Sequence, residues 1–433
     1  MPVSATARPV VPAAVPAAVP TPTPAIGVVP PPVGLYLHVP FCLSLCPYCD
    51  FPVVTGRASR GPASRIPAFV AALHAELDLR ADALDAAVGA TRPPLDTVYL
   101  GGGTPSLLGA PAVGELLDHV ARRFGVAAGA EITLEANPGI GERGDAPGFV
   151  AAGVTRLSFG AQSLATPELR ALGRRHRPAD VLAAVREARA AGIASVNLDL
   201  LIDVPGQALA SWGATLDAAL ALEPDHVSAY ALTLEDPDED GLTGPLGDHL
   251  PVRPGARRWR AAARAAQDPD RAADMDALAG ERLAAAGLAR YELSNHARPG
   301  HESRHNLGYW LRRPILAAGP GAHAFDGRAE RSWNAARLDG WLAALLPTDG
   351  APPRLPPGGA VTLTDADARS EAAILGLRLR EGIPAAAARD PLLAEGLTWA
   401  RSHGLLEAAP GDRLRLTAHG RLVSNEVFQR LLP

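Results

Sequence analysis

The sequence predicts an α/β protein with a partial (β/α)6 barrel, followed by a smaller, winged-helix-like α+β unit at the C-terminal end. Between residues 34 and about 235, short β-type runs alternate with amphipathic helical stretches, which is the pattern of repeated βα units around a parallel sheet. Right-handed crossovers curl such units into a barrel or into an open part of one. Six units are too few for a closed barrel, so a partial barrel is expected.

The predicted strands are short and mostly apolar, and they cover residues 35–39, 97–100, 131–136, 154–159, 195–202 and 227–234. The segments between them carry apolar residues at spacings of three and four, which favours helices packed on the sheet. The clearest of these helices cover residues 66–84, 113–123, 179–191 and 212–222.

Four segments are expected along the chain. Residues 1–32 alternate proline with small residues, which predicts a disordered tail, with a cleaved targeting peptide as the alternative. The barrel would occupy residues 33–238, and an extension of it residues 239–362, entered through an acidic stretch rich in glycine and proline. Residues 363–433 contain two helical patterns, a turn at Gly404 and an alternating strand at 413–416. They predict the winged-helix-like unit, which lacks clustered arginines and should pack or bind a partner rather than DNA.

The composition narrows the class of protein. Apolar residues make up 47% of the chain and charged residues 20%, as in soluble globular proteins. The formal net charge of -5 leaves no basic excess for nucleic acid, which is not expected as a partner. We find no run of eighteen apolar residues that could span a membrane. These features predict a cytoplasmic protein.

All three cysteines, Cys42, Cys46 and Cys49, follow the first predicted strand within eight residues. An odd, clustered set does not form a disulfide framework. The CxxxCxxC spacing suits a [4Fe-4S] cluster in which three thiolates hold three irons and the fourth iron stays open. Structural zinc is the alternative, but it would require a fourth ligand, and no second cysteine pair exists. Three inert cysteines would be a coincidence of position.

Polar residues and glycines gather at the ends of the later predicted strands. The second strand runs into Gly101-Gly-Gly-Thr-Pro-Ser106, and the third ends in Glu135-Ala-Asn137. The fourth ends near Gln162, and the fifth contains Asn197 and Asp199. A single such residue is usually a helix cap or a turn. Because the carboxyl ends of barrel strands share one face, the repeated pattern predicts one site there.

These motifs resemble the radical SAM superfamily. The resemblance implies S-adenosylmethionine (SAM) on the open iron, its cleavage to a 5'-deoxyadenosyl radical, and an electron donor of the flavodoxin or ferredoxin type. It places SAM binding at Tyr36, Tyr48, Gly102 and Glu135, and a second SAM site at Gly103, Thr104, Gln162, Arg174 and Asp199.

Sequence segments such as RLSFGAQSL, DVPGQ, YELSN and GPGAH resemble those of the coproporphyrinogen-dehydrogenase-like branch of that superfamily. Two functions occur there: decarboxylation of coproporphyrinogen III by an oxygen-independent oxidase, and heme delivery to an acceptor protein by HemW-type heme chaperones. The oxidases typically carry a further cysteine two positions beyond the third cluster ligand, where this chain has Phe51. The chaperone is therefore favoured. A binding module with a purely structural cluster is a third, weaker reading.

A second motif also favours the heme chaperone. His305-Asn306-Leu-Gly-Tyr309-Trp310 resembles the HNxxYW motif of the heme chaperones, which implies heme binding at these residues. Imidazole is a common ligand of heme iron, and aromatic rings offer flat surfaces beside a macrocycle. A polar turn packed by two aromatic side chains is the alternative. His296 and His301 are other candidates for the iron, and Arg304 for a propionate.

The chain departs from the family pattern at three places. Ser303 stands where relatives often have cysteine, Ile202-Asp203 replaces a usual Tyr-Gly, and residues 234–278 look rearranged and arginine-rich. With serine at position 303, thiolate attachment of heme is not expected there, and the other changes are expected to fall on the face that meets a substrate or partner.

Overall fold

The structure is a computed structural model, and it describes residues 30–55, 61–89 and 91–433. Residues 1–29 of the expected Pro-rich tail lie outside the described residues. The first half of the chain folds into β1 (Gly34–Val39), α1 (Pro62–Val88), β2 (Leu95–Gly102), α2 (Ala110–Phe124), β3 (Val126–Ala136), α3 (Ala146–Ala151), β4 (Arg156–Gln162), α4 (Thr166–Ala171), α5 (Pro178–Ala191), β5 (Ser195–Ile202), α6 (Leu209–Leu220) and β6 (His226–Ala231).

The six strands lie side by side in chain order, and every neighbouring pair is parallel. Each overlaps the range predicted for it, and α1, α2, α5 and α6 overlap the predicted helices. The predicted α/β fold is therefore confirmed. Its carboxyl strand ends lie on one face, as the grouping of polar residues required.

The second half contributes α7 (Pro254–Ala266), α8 (Pro269–Ala285), β7 (Ala289–Arg290), β8 (Asn295–Ala297), α9 (Arg304–Trp310), β9 (Ile315–Ala318), β10 (His323–Phe325), β11 (Glu330–Asn334), α10 (Leu338–Leu345) and β12 (Gly358–Thr362). Its strands lengthen the barrel sheet at both edges. Strand β9 pairs with β1 in parallel and leads to β10, β11 and β12, while β8 and β7 continue from β6. The sequence did not predict these strands, because each has only two to five residues. Their pairing covers the two edges that an open barrel leaves exposed.

Side-chain alternation divides the barrel wall into an apolar outer face and a polar inner face. On β5, Val196 and Leu198 are fully buried in the main apolar core, which they share with the surrounding helices. Asn197 and Asp199 point the other way and bond to polar residues of neighbouring strands. Since successive residues of a strand face opposite sides, the candidate site residues are directed into the barrel lumen.

The C-terminal unit consists of α11 (Asp365–Arg378), β13 (Ile383–Pro384), α12 (Ala394–Ser402), β14 (Leu406–Ala409), β15 (Arg413–Leu416), α13 (Ala418–Leu422) and α14 (Ser424–Gln429). Its antiparallel sheet has the order β13-β15-β14, and it has an apolar core of its own. The helix and strand order is that of a winged helix. The predicted strand at 413–416 is confirmed, as is the turn at Gly404, where φ is 67°.

None of the helices in the described part of the chain combines the length and the apolar composition needed to cross a lipid bilayer.

Candidate cofactor-binding site

A cavity of about 400 Å³ opens at the carboxyl ends of the barrel strands. The structure brings ten of the predicted site residues to its lining: Cys42, Cys46, Cys49, Tyr48, Gly102, Gly103, Glu135, Gln162, Arg174 and Asp199. Two further predicted residues lie behind this lining. Thr104 is 1% exposed and reaches Cys42, with its Oγ1 atom 3.4 Å from Sγ. The hydroxyl of Tyr36 lies deeper in the lumen, 3.0 Å from Nδ1 of His38.

The three cysteines of the cysteine loop are partly buried at this cavity. Burial raises the pKa of Cys42 to about 11 and the pKa of Cys49 further still. A thiolate at either position therefore needs a positive partner, which an iron cluster would provide. The donor set of three thiols beside an open cavity fits a [4Fe-4S] cluster with one free iron. Among the described residues, no three His, Cys, Asp or Glu side chains are grouped closely enough to bind a single metal ion.

The loop is clamped by Arg260, a residue that the sequence analysis did not single out. Its side chain extends from α7, is 4% exposed, and donates hydrogen bonds to the carbonyl oxygens of Pro47 and Cys49 at 3.1 and 3.0 Å. It also forms an ion pair with Asp50 at 2.6 Å. One rigid guanidinium thus fixes the backbone of the cysteine loop at Pro47 and Cys49. Arg260 is one of several arginines in α7, so nothing in the sequence distinguished it from its neighbours.

The glycine motif brings β2 against this loop. A Cβ atom on Gly103 would lie 2.6 Å from the carbonyl oxygen of Phe41, the residue before the first cysteine. Gly102 has a φ of 104°, and its Cβ would overlap the ring of His38. Only glycine permits this close approach and this backbone conformation. The motif is therefore a structural requirement of the cysteine loop as well as a candidate ligand surface.

Glu135 faces the glycine motif from the end of β3. Its Oε2 accepts a hydrogen bond from the backbone N–H of Gly102 at 2.9 Å, and its Oε1 accepts one from the hydroxyl of Tyr99 at 2.7 Å. Burial raises the pKa of this carboxyl to about 7, and nearby Asp199 adds to the shift. The two hydrogen bonds oppose the shift because they favour the ionised form. Glu135 is thus poised to accept hydrogen bonds from a cationic amino group.

The far wall of the cavity combines an acid and a cation. Asp199 accepts hydrogen bonds from the side chains of Tyr230 at 2.7 Å and Ser158 at 3.1 Å. Arg174 donates to the carbonyl oxygen of Gly160 at 2.7 Å and also to Asn137, and its Nη1 lies 3.6 Å from Sγ of Cys46. The wall therefore has fixed charges of both signs, which suits a zwitterionic ligand.

The HNxxYW motif forms the short helix α9 at the opposite end of the barrel. His305 is 1% exposed, with Nδ1 at 2.8 Å from Oγ1 of Thr97 and Nε2 at 3.1 Å from the hydroxyl of Tyr309. Its ring packs on Tyr99, with the centroids 5.1 Å apart. To bind iron, His305 would have to release one ring nitrogen from these bonds, so its heme role stays a prediction.

The other candidates for heme contact are dispersed. The ring of Trp310 lies under the guanidinium of Arg378, 4.2 Å from ring centroid to Cζ. The side chain of Asn306 makes no hydrogen bond with the described residues, while its backbone N–H donates to the capping hydroxyl of Ser303. His296 is 1% exposed, and Arg304 donates to backbone carbonyl oxygens. The motif thus places Trp310, rather than His305, on the side of the C-terminal unit.

One departure from the family pattern has a structural explanation. Asp203 adopts a φ of 60°, where glycine is usual. Its carboxylate accepts a hydrogen bond from Nε of Arg271 at 2.8 Å and one from the N–H of Asp268 at 3.0 Å. The replacement thereby anchors the first turn of α8, within the stretch that the sequence marked as rearranged.

Comparison with known proteins gives the family. Residues 36–219 match the radical SAM superfamily, and residues 363–423 match the HemN C-terminal domain. The chain is 42% identical over 407 residues to a Mycobacterium tuberculosis protein named heme chaperone HemW, covering 93% of this chain and 95% of that one. It is 38% identical over 306 residues to HemW of Escherichia coli, covering 70% and 73% of the two chains.

Among solved structures, coproporphyrinogen III oxidase (HemN) from Escherichia coli matches with a TM-score of 0.73 at 23% identity, covering 94% of this chain and 91% of that one. At this identity the likeness concerns the fold alone. The sequence relatives support a more specific assignment than the fold, and they confirm the resemblance that the motifs indicated. The chain belongs to the HemW family of the radical SAM superfamily.

Proposed function

We propose that this protein is a heme chaperone that carries a [4Fe-4S] cluster and SAM, binds heme and transfers it to an acceptor protein. The observation that carries the proposal is the 42% identity to a heme chaperone HemW along 93% of the chain. Phe51 supports it, because the oxidases of this branch typically have a cysteine at that position. A cytoplasmic location and a flavodoxin- or ferredoxin-type electron donor are part of the proposal.

In this proposal Cys42, Cys46 and Cys49 hold the cluster, which would supply an open iron and an electron for cleaving SAM. The chain's own residues position the ligands. Arg260 fixes the cysteine loop, and Arg174 puts a positive charge beside a cluster thiolate. Tyr48 closes the cavity wall.

The remaining SAM contacts follow from the same geometry. Ionised Glu135 and the backbone of Gly102 would receive the amino end of the cluster-bound SAM. Gly103, Thr104, Gln162 and Asp199 would serve a second molecule beside Arg174. For heme, His305, Asn306, Tyr309 and Trp310 remain the proposed residues, and the burial of His305 implies that α9 must shift before its imidazole can reach iron.

The test separates a carrier from an enzyme. The protein is purified without oxygen, its cluster is reconstituted, and it is offered heme or coproporphyrinogen III with SAM and a reductant. We expect stoichiometric heme binding, release to a heme-free acceptor protein, and no decarboxylated product. A Cys46→Ser variant, which loses a cluster ligand, is the control for dependence on the cluster. Catalytic conversion of coproporphyrinogen III would overturn the chaperone assignment in favour of the oxidase.

A further inference from the structure

A second cavity, of about 490 Å³, lies between the barrel extension and the C-terminal unit. Helix α8 and strand β7 form one wall, and the end of α11 with β14, β15 and α13 forms the other. Its lining contains four acidic side chains and five arginines, which are Arg290, Arg378, Arg380, Arg415 and Arg421. We call it the arginine cleft. It is separate from the cavity that holds the cysteines.

The carboxylates of the arginine cleft do not satisfy all its arginines. Arg290 pairs with Asp276 at 2.8 Å, and Arg415 pairs with Glu407 at 2.8 Å. Arg421 makes no side-chain hydrogen bond or ion pair with the described residues, and its Nε atom is buried. Burial, and after it the guanidinium of Arg290, lowers the pKa of Arg421. A cation in this position favours an added anion.

Further donors lie next to two arginines of the cleft lining, Arg378 and Arg290. The Nε atom of Arg378 and the indole nitrogen of Trp310 are buried and have no hydrogen-bond partner among the described residues, although Nη2 of Arg378 pairs with Glu292 at 3.4 Å. The Arg378 guanidinium covers the Trp310 ring. His296 lies opposite Arg290 in the β7–β8 pair, is 1% exposed, and has no partner at either ring nitrogen among the described residues. Buried donors are normally satisfied, so this grouping points to a ligand with several acceptor oxygens.

We propose that the arginine cleft binds the propionate carboxylates of the heme cargo, chiefly through Arg421 and Arg378. This inference rests on the proposed function, since heme is the cargo there. The planar fork of a guanidinium matches a carboxylate. The cleft is large enough for the edge of a macrocycle as well as for a small ion. Trp310 connects the HNxxYW motif to this cleft, and the C-terminal unit supplies half of the binding surface.

The test compares two probes on the full chain, ferric heme and its dimethyl ester, in which both carboxylates are blocked. We expect heme to bind at least about tenfold more tightly than the ester. Arg421→Gln and Arg378→Gln should each weaken heme binding by about tenfold and leave ester binding unchanged. Arg421→Lys keeps the charge and should lose less. Arg401→Gln, at an exposed position of α12 outside the cleft, is the matched control and should change neither affinity.

The outcomes distinguish this inference from the proposed function. Equal binding of heme and ester, or unchanged heme binding in both glutamine variants, would overturn the cleft assignment and leave the chaperone function standing. Failure of the wild-type protein to bind either porphyrin would overturn both. Inorganic phosphate shares the oxyanion chemistry: competition with heme but not with the ester would support the proposal, whereas phosphate binding that leaves heme binding unchanged would overturn it.

Discussion

The Nδ1 atom of His305 lies 2.8 Å from the hydroxyl oxygen of Thr97, at the amino end of β2. The cysteine loop leaves β1 at the opposite, carboxyl end of the barrel. His305, the first residue of the HNxxYW motif, therefore fills the amino end of the barrel lumen. Trp310, at the end of α9, contacts Arg378 of the C-terminal unit. A single motif thus connects the barrel interior with the arginine cleft.

The buried position of His305 predicts that shortening its side chain destabilises the protein. His305→Ala removes a buried ring and leaves the hydroxyl of Thr97 without its partner, so the free energy of unfolding should fall by about 2–4 kcal/mol. Urea denaturation measures this change, with Asn306→Ala as a neighbouring control. A variant as stable as the wild type but unable to bind heme would instead identify His305 as the iron ligand.

The close approach at Gly103 predicts sensitivity to a single methyl group. In Gly103→Ala the new Cβ would meet the carbonyl oxygen of Phe41 at 2.6 Å, so the cysteine loop must shift and cluster content should fall. Gly340→Ala is the matched control, because its Cβ meets nothing within 4 Å inside α10, and it should stabilise the protein by up to about 1 kcal/mol. Iron content and thermal melting report both effects. Full cluster loading in Gly103→Ala would contradict the role given to this glycine.

The raised pKa of Glu135 predicts that SAM binding depends on pH. Because this pKa is about 7, the carboxylate form becomes dominant between pH 6 and 8, and SAM affinity should rise over that interval. Calorimetric titration at several pH values measures it. In Glu135→Gln the affinity should be lower and its rise with pH much reduced. An unchanged pH profile in that variant would exclude Glu135 as the titrating group.

The same shift affects the stability of the ligand-free protein. The pKa of Glu135 rises from 4.5 to about 7 on folding, so its contribution to stability is fully present below about pH 4.5 and is lost as the pH rises through 7. Glu135→Gln should remove this part of the pH dependence. Denaturation of both proteins between pH 5 and 8 provides the comparison, and parallel curves would contradict the assignment.

The contact between Arg174 and Cys46 predicts an effect on the redox potential. Arg174→Gln removes a positive charge 3.6 Å from a cluster ligand, which makes adding an electron harder. The cluster potential should become more negative by roughly 100–200 mV, since two unit charges this close interact by about 4–5 kcal/mol at an effective dielectric constant near 20. Arg174→Lys should recover part of the shift. Arg170→Gln, at an exposed position of α4, should leave the potential unchanged; an equal shift there would argue against a local effect.

Local patterns in the sequence indicated the barrel and the cysteine loop that follows its first strand. The alternation of βα units, the CxxxCxxC spacing and the glycine run are features of contiguous residues, and neighbours in sequence fix the strand periodicity and the loop that follows it. Ten of the site residues that these patterns and the family resemblance indicated line one cavity. The relatives confirmed the family that these motifs indicated.

Contacts between distant segments were decided only by the tertiary structure. Arg260 reaches the cysteine loop from more than two hundred residues away, and Asp203 holds α8 through Arg271. The arginine cleft forms where α8 and β7 pack near the C-terminal unit. No sequence pattern within a single segment predicts that these segments lie together. The burial of His305 is of the same kind: the sequence supplied an imidazole and two aromatic rings, but whether the imidazole faces a ligand or the lumen depends on what packs around it.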